Sequence, residues 1–160
     1  ENLTGGSMFY NLRKIRERQG ISQRETARLL KISKSSYNYY ETGEYIISLN
    51  HLNDFCNKFH VSMDYVVGLT DINTNSNITK RYRINPKIIG MRIKKIRKKK
   101  KMTQIDLAEL LNTSQSNISA YENGKNMVLT AFAYTMAKNF NISLDYIVGR
   151  SNTIRIAKKK

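Results

Sequence analysis

The sequence predicts an all-α protein made of two tandem five-helix domains joined by a polar linker. Two observations support this prediction. The chain repeats itself without gaps, with Gln23 aligned to Gln104, an offset of 81 positions. The residues that start and stop helices also recur at matching places in both copies.

The internal repeat runs through most of the chain. Matched positions include Ile15 with Ile96, Ala27 with Ala108, Tyr40-Glu41 with Tyr121-Glu122, and Asp64-Tyr65 with Asp145-Tyr146. Duplication of one ancestral unit explains such a pattern, and each copy is then a domain. We therefore predict an N-terminal domain at 8–69, a linker at 70–85, a C-terminal domain at 86–150 and a basic tail at 151–160.

Each copy is expected to fold into five short helices. Apolar residues such as Leu12 and Ile15, or Ile93 and Ile96, have the spacing of a buried helix face. Hydroxyl side chains stand where the second, third and fifth helices would begin, at Ser22, Ser33, Ser62, Thr103, Ser114 and Ser143. Glycines stand where the third and fifth helices would end, at Gly43, Gly68, Gly124 and Gly149.

The segment between the copies is rich in Asn, Thr and Ser, which is typical of a polar linker. If flexible, about 15 such residues have a typical end-to-end distance of about 20 Å and reach roughly 50 Å when stretched. Asn85-Pro86 resembles a helix cap followed by proline in the first turn, so the second domain's first helix is expected to start early.

The charge balance indicates a polyanionic partner. The chain has 28 Lys and Arg against 12 Asp and Glu, a net charge of +16. Residues 1–80 contribute +2 and residues 81–160 contribute +14, so the second half carries most of the field. Nucleic acid and anionic membrane surfaces both fit this charge. No apolar run long enough to cross a bilayer and no signal peptide is present, so we expect a cytoplasmic protein with no membrane partner.

Little in the sequence suggests catalysis or metal binding. Cys56 is the only cysteine and His51 and His60 are the only histidines, which is too few for a cysteine-histidine zinc cluster. No glycine-rich phosphate loop, paired catalytic carboxylates or Ser-His-Asp arrangement is found. We expect no enzymatic activity, no metal and no cofactor.

Two stretches in each copy carry a recognisable motif. In the second copy these are Thr103-Gln104-Ile105-Asp106-Leu107-Ala108-Glu109-Leu110-Leu111 and Ser114-Gln115-Ser116-Asn117-Ile118-Ser119-Ala120-Tyr121-Glu122-Asn123-Gly124. The corresponding stretches of the first copy, 22–30 and 33–43, match less closely. Both copies resemble the Cro and phage-repressor helix-turn-helix family, also called XRE. The resemblance implies lambda-repressor-like domains, with the third helix lying in the major groove of double-stranded DNA.

The resemblance also assigns roles to individual residues. Base contacts are implied for Lys34, Ser35 and Tyr39 in the first copy and Gln115, Ser116 and Ala120 in the second. Phosphate contacts are implied for Gln23, Gln104, Asn123, Lys125 and Lys101. The Tyr39 ring is bulky for its position, and if it packs against the protein the first copy reads DNA poorly. Arg16 with Glu41, and Arg97 with Glu122, are implied to be ion pairs that orient the third helix.

The functional hypothesis is a sequence-specific DNA-binding transcription regulator of bacterial type that acts as a repressor. Two modes stay open: one chain grips adjacent half-sites as an intramolecular pseudo-dimer, or the basic copy binds DNA while the first copy serves homodimerisation or a protein partner. The alternative function is a protein-interaction module, such as an antitoxin or an antagonist of another regulator.

Overall fold

The computed structural model describes the backbone of residues 10–159 and the side chains of residues 11–159. Residues 8 and 9 of the predicted first domain and Lys160 of the predicted tail lie outside this range. The described residues form ten α-helices and no strands, which confirms the all-α prediction. The chain divides into two compact units, and each contains five helices, as the repeat predicts.

Among the described residues, the first unit comprises 10–82 together with 156–159. Its helices are α1 (Tyr10–Arg18), α2 (Gln23–Leu30), α3 (Lys34–Thr42), α4 (Leu49–Phe59) and α5 (Met63–Val66). The second unit comprises Arg83–Arg155. Its helices are α6 (Pro86–Lys99), α7 (Gln104–Leu110), α8 (Gln115–Glu122), α9 (Thr130–Phe140) and α10 (Leu144–Val148).

Side-chain caps begin the helices at the predicted places. Ser22, Ser33 and Ser62 each accept a hydrogen bond from the backbone N–H three residues later, and Thr103, Ser114 and Ser143 do the same in the second unit. Asn85 caps α6 and Pro86 follows in its first turn, so this helix starts early as expected. The four predicted stop glycines all have positive φ.

A separate hydrophobic core holds each unit together. In the first unit the fully buried side chains include Leu12, Tyr37, Ile47, Leu52, Phe55 and Met63, and in the second they include Ile89, Ile93, Leu107, Ile118, Ala133 and Leu144. Burial of side chains of this size contributes roughly 1.5–3 kcal/mol each before entropy is counted. Each helix-turn-helix pair, α2–α3 and α7–α8, is therefore fixed to a scaffold of its own.

The polar segment after the fifth helix differs from the flexible linker that was expected. The side chains of Asn53 and Asn57 on α4 donate hydrogen bonds to the Tyr82 carbonyl at 3.0 and 2.8 Å, and the side-chain oxygen of Asn57 accepts from the Tyr82 N–H at 3.1 Å. The side chain of Asn73 donates to the His60 carbonyl at 2.9 Å and accepts from the Ser62 N–H at 3.1 Å. Polar groups of this segment thus form hydrogen bonds with α4 and with the turn before α5. The boundary between the units falls after Tyr82.

Helix α6 approaches the end of α8 at unusually short range through Gly90, a buried glycine. A Cβ atom at this position would lie 2.1 Å from the Tyr121 carbonyl oxygen and 2.8 Å from that of Glu122. Only a residue without a side chain fits between the two backbones. Gly90 therefore fixes how closely the first helix of the second unit supports its third helix.

None of the helices in residues 10–159 combines the length and the apolar character needed to cross a bilayer. The same part of the chain contains no group of three His, Cys, Asp or Glu side chains placed to bind a metal ion.

Candidate nucleic-acid interface

The third helix of each unit presents its N-terminal end to solvent. Lys34 and Ser35 at the start of α3 are exposed, and so are Gln115 and Ser116 at the start of α8. The caps at the preceding serines accept hydrogen bonds from Ser36 N–H at 3.0 Å and Asn117 N–H at 3.2 Å, so the first turn is well formed. These four sequence-predicted residues are thus accessible from solvent at the start of the third helix.

The third predicted base-contacting position differs between the units. In the first unit Tyr39 is half-buried and packs edge-on against Tyr45, with ring centroids 4.9 Å apart. Tyr45 itself is 57% exposed in the loop after α3. In the second unit the equivalent positions hold Ala120 and Asn126, with no aromatic pair. Two rings therefore pack beside α3 in the first unit, and the equivalent positions beside α8 carry none.

Beneath each third helix, the arginine and glutamate of the implied ion pair meet. Arg16 donates to Glu41 at 2.5 and 3.1 Å, and its third bond reaches the Ile21 carbonyl at 2.9 Å. Arg97 donates to Glu122 at 2.5 and 3.1 Å and to the Met102 carbonyl at 2.8 Å. Two guanidinium nitrogens thus bond to the two carboxylate oxygens in a bidentate salt bridge, the strongest geometry for an arginine–carboxylate pair. Each bridge ties the first helix, the turn after it and the end of the third helix together.

The electrostatics of the two glutamates follow from this burial and pairing. Burial alone would raise the pKa of Glu122, but the hydrogen bonds from Arg97 and Gln104 outweigh it and hold the pKa below its ordinary value of 4.5. Glu41 behaves alike: burial opposes ionisation, hydrogen bonds from Arg16 and Gln23 favour it, and the net pKa is lowered. Both carboxylates are therefore ionised near neutral pH.

The lowered pKa values predict a pH dependence of stability. A carboxylate whose folded pKa lies below its unfolded pKa contributes stability above the unfolded value, and this contribution disappears as pH falls through the folded pKa. We expect both units to lose stability below about pH 4.5. Denaturant unfolding between about pH 6 and 2 measures this. Glu41→Gln/Glu122→Gln should flatten the acid limb, and an unaltered pH profile in that variant would contradict the assignment.

The two glutamines implied to hold phosphates lie directly beside these bridges. The Gln23 amide nitrogen donates to Glu41 at 2.9 Å and to the Asn38 side-chain oxygen at 3.1 Å. The Gln104 amide nitrogen donates to Glu122 at 2.9 Å. Both side chains are half-buried. Each glutamine thus begins the second helix of its unit beside the C-terminal end of the third helix, where the glutamate of the bridge holds it in place.

The other residues implied to contact phosphate lie at the end of α8 and in the turn before α7. Asn123 is the C-terminal cap of the helix and its amide lies 3.4 Å from the Ser119 hydroxyl. Lys125 follows in the next turn, and Lys101 lies in the turn between α6 and α7 with a left-handed backbone. All three are exposed, and neither lysine forms a salt bridge with any described residue. Their charges are thus available to a polyanion.

Sequence reasoning overlooked one cation of the first unit. Arg24 follows Gln23 at the start of α2, is exposed, and forms no salt bridge within residues 10–159. The equivalent residue of the second unit is Ile105, which is 53% exposed. An alignment of the two copies could have found this difference, because it places the cation Arg24 opposite the apolar residue Ile105.

Comparison with known proteins identifies the family to which both copies belong. A family model described as helix-turn-helix matches the chain twice, at residues 12–66 and 93–147. Antitoxin PezA from Streptococcus pneumoniae (strain TIGR4) is 34% identical over 67 residues, and this match covers 42% of each chain. The match therefore spans less than half of that antitoxin's length.

Among solved structures, the clp gene regulator ClgR from Corynebacterium glutamicum is similar, with 26% sequence identity and a TM-score of 0.39. The match covers 41% of this chain and 70% of that chain. The two family matches together span more than half of the residues. This protein therefore belongs to the Cro and phage-repressor type, or XRE, helix-turn-helix family of DNA-binding transcription regulators, and it carries the family's domain twice.

Proposed function

We propose that this chain is a sequence-specific, double-stranded-DNA-binding regulator that represses transcription by occupying a promoter in the cytoplasm. The observation that carries the proposal is the exposed N-terminal end of α8, where Gln115 and Ser116 stand on a helix fixed from below by the buried Arg97–Glu122 bridge. A helix held in this way is already ordered, so it can enter the major groove without an entropic cost of folding on binding. The function requires binding alone, with no reaction and no cofactor.

The exposed side chains have the chemistry to read base edges. Gln115 can pair with adenine through two hydrogen bonds, Ser116 can bond to several bases, and Ala120 can contact a thymine methyl group. In the first unit, Lys34 favours the acceptors of guanine, and Ser35 and Tyr39 complete its set. Because the two sets share only one residue type, Ser35 with Ser116, the two domains should prefer unlike sequences.

Phosphate contacts would set the register of the protein on the duplex. Gln23 and Gln104 stand at the starts of α2 and α7, Asn123 and Lys125 follow α8, and Lys101 lies in the turn between α6 and α7. Such contacts supply affinity without sequence information. The net charge of +16 supports the same partner, because neutralising phosphates releases counterions.

We further propose that both domains contact DNA, so that one chain acts as a pseudo-dimer on two unlike half-sites. Each unit has its own core and its own buried bridge, which supports two independent recognition helices. In the other mode only the second domain binds DNA, and the first domain pairs with a second copy of the chain. The larger charge of the second half favours that mode, and the exposed Lys34 and Arg24 of the first domain favour the pseudo-dimer.

A second candidate function is protein binding by the first domain, as in an antitoxin or an antagonist of another regulator. Two observations favour it: the similarity to an antitoxin over 67 residues, and the Tyr39–Tyr45 pair on the outward face of α3. Aromatic side chains are enriched at the centres of protein interfaces. The basic charge argues for DNA, because a protein partner would need a strongly acidic face.

Selection of bound duplexes from a random pool tests the proposal. The full chain should enrich a defined motif, and affinity for that motif should persist at salt concentrations that abolish binding to random duplex. Lys34→Ala/Ser35→Ala should erase one half of the motif and Gln115→Ala/Ser116→Ala the other. Loss of only the second half would refute the pseudo-dimer, and no enrichment by the unmodified chain would refute sequence-specific binding.

Two single substitutions should separate base reading from phosphate binding. Gln115→Ala should cost about 1–3 kcal/mol of discrimination at one base pair, with an unchanged salt dependence. Lys125→Gln should weaken binding to every duplex and reduce the slope of log affinity against log salt by about 1. Lys138→Gln on α9 is the matched control for the charge change. Equal salt slopes for Lys125→Gln and the control would contradict the phosphate role.

A further inference from the structure

The two domains hold their equivalent glutamines differently, although the buried cluster around them is otherwise the same. Arg16, Gln23 and Glu41 match Arg97, Gln104 and Glu122 residue for residue. The position between them differs: Asn38 on α3 corresponds to Ser119 on α8. Asn38 accepts a hydrogen bond from the Gln23 amide at 3.1 Å, whereas the Ser119 hydroxyl lies 3.4 Å from the Asn123 amide and bonds to no glutamine within residues 10–159.

This difference changes how many donors each glutamine can offer. A primary amide has two N–H hydrogens. Those of Gln23 have two acceptors, Glu41 at 2.9 Å and Asn38 at 3.1 Å, so neither remains for an external group. Gln104 donates to Glu122 at 2.9 Å, and its second hydrogen has no acceptor in the part of the chain that the structure describes.

A phosphate oxygen can only accept hydrogen bonds, so a glutamine binds it through an N–H. Gln104 can donate to a phosphate and keep its bond to Glu122. Gln23 must first release Asn38, and the half-buried Asn38 oxygen then loses its partner. The exchange of one neutral hydrogen bond for another corresponds to about a two- to tenfold change in affinity.

We propose that Asn38 is a positioning residue that withholds the Gln23 amide from DNA, so that the first domain grips the phosphate backbone less tightly than the second. This proposal rests on the DNA-binding function proposed above. Under this proposal, the difference in phosphate affinity between the domains arises partly from the Asn38 side chain and partly from the difference in total charge. The second domain has Ser119 at the position of Asn38, and Ser119 accepts no hydrogen bond from Gln104 among the described residues, so one amide hydrogen of Gln104 stays available.

The chain supplies the matched substitutions for a test. Binding of the full chain to a random-sequence duplex of about 20 base pairs at low salt measures phosphate contacts without base reading. Asn38→Ser, which introduces the second domain's residue, should raise affinity about two- to tenfold. Ser119→Asn should lower it by a similar factor. Asn77→Ser, the same change at an exposed position outside the cluster, is the control and should leave affinity unchanged.

Dependence on Gln23 separates positioning from a general structural effect. The gain from Asn38→Ser should vanish when Gln23 is removed, so Gln23→Ala/Asn38→Ser should bind no better than Gln23→Ala alone. The salt slope should stay constant throughout, because no cation is added or removed. Circular dichroism confirms that each variant is folded at the assay temperature.

Two outcomes would overturn the proposal, and they can be told apart. If the unmodified chain binds duplex DNA and folded Asn38→Ser binds no better, or gains affinity without Gln23, then Asn38 does not restrain the amide and the DNA-binding function stands. If the unmodified chain binds no duplex at any salt concentration, the DNA-binding function itself fails.

Discussion

Replacing Glu122 by alanine is expected to lower the free energy of unfolding of the second domain by about 3–5 kcal/mol. The side chain is buried, and it accepts two hydrogen bonds from Arg97 and one from Gln104. Its removal leaves Arg97, a residue that is only 8% exposed, without its counter-charge. The cost is therefore mainly that of a buried, unpaired cation, and the substitution should also loosen the end of α8.

Denaturant unfolding followed by circular dichroism measures this effect. Glu109→Ala is the matched control, because Glu109 is an exposed glutamate on α7 and its loss should change stability by less than about 0.5 kcal/mol. Arg97→Met/Glu122→Leu, which removes both charges, should recover much of the lost stability. Equal stability of Glu122→Ala and the unmodified chain would show that the bridge does not hold the third helix.

The second large effect is expected at Gly90, where substitution by alanine should destabilise the second domain by about 1–3 kcal/mol or more. The added Cβ would lie 2.1 Å from the Tyr121 carbonyl oxygen, and this neighbour is backbone that cannot rotate away. Helices α6 and α8 must separate, and the separation displaces the exposed end of α8. DNA affinity should therefore fall together with stability.

The exposed neighbour Met91 provides the control, because it lies on the same helix and is 68% exposed. Met91→Ala removes a larger side chain but should leave both unfolding and DNA binding nearly unchanged. Thermal unfolding and duplex binding of the two variants make the comparison. A Gly90→Ala protein with unaltered melting temperature and affinity would mean that the close approach of α6 to α8 is dispensable.

Much of the fold could be predicted because its signals are local. A cap such as Ser33 or Ser114 bonds to an N–H three residues away, and a stop glycine such as Gly43 or Gly149 acts through its own φ, so each can be recognised in a short stretch of sequence. The repeat adds a second, independent copy of every signal. Even Asn85-Pro86 predicts the early start of α6 correctly.

The features that escaped prediction depend on contacts between distant residues. The polar residues of 70–82 have the composition of a flexible linker, but their partners include Asn53 and Asn57 on α4, which no local pattern identifies. Likewise, Gly90 in α6 resembles a tolerated helical glycine until the carbonyl of Tyr121 is placed beside it.

The candidate site divides in the same way. The motif predicts which residues start the third helix, and Gln115 and Ser116 are exposed there. It does not predict that Tyr39 packs against Tyr45, because that contact depends on how the loop after α3 folds back. Nor does it predict how the hydrogens of Gln23 are shared, since Asn38 lies 15 residues away in sequence.

Atomic substitution in a selected duplex shows whether the start of α8 lies in the major groove. Replacing purines by 7-deaza analogues removes the N7 acceptor, and replacing thymine by uracil removes the methyl group; both changes leave the minor groove intact. We expect affinity to fall at two or three adjacent positions, and Gln115→Ala to make at least one of those positions insensitive. Undiminished affinity for every substituted duplex would show that α8 does not read the major groove.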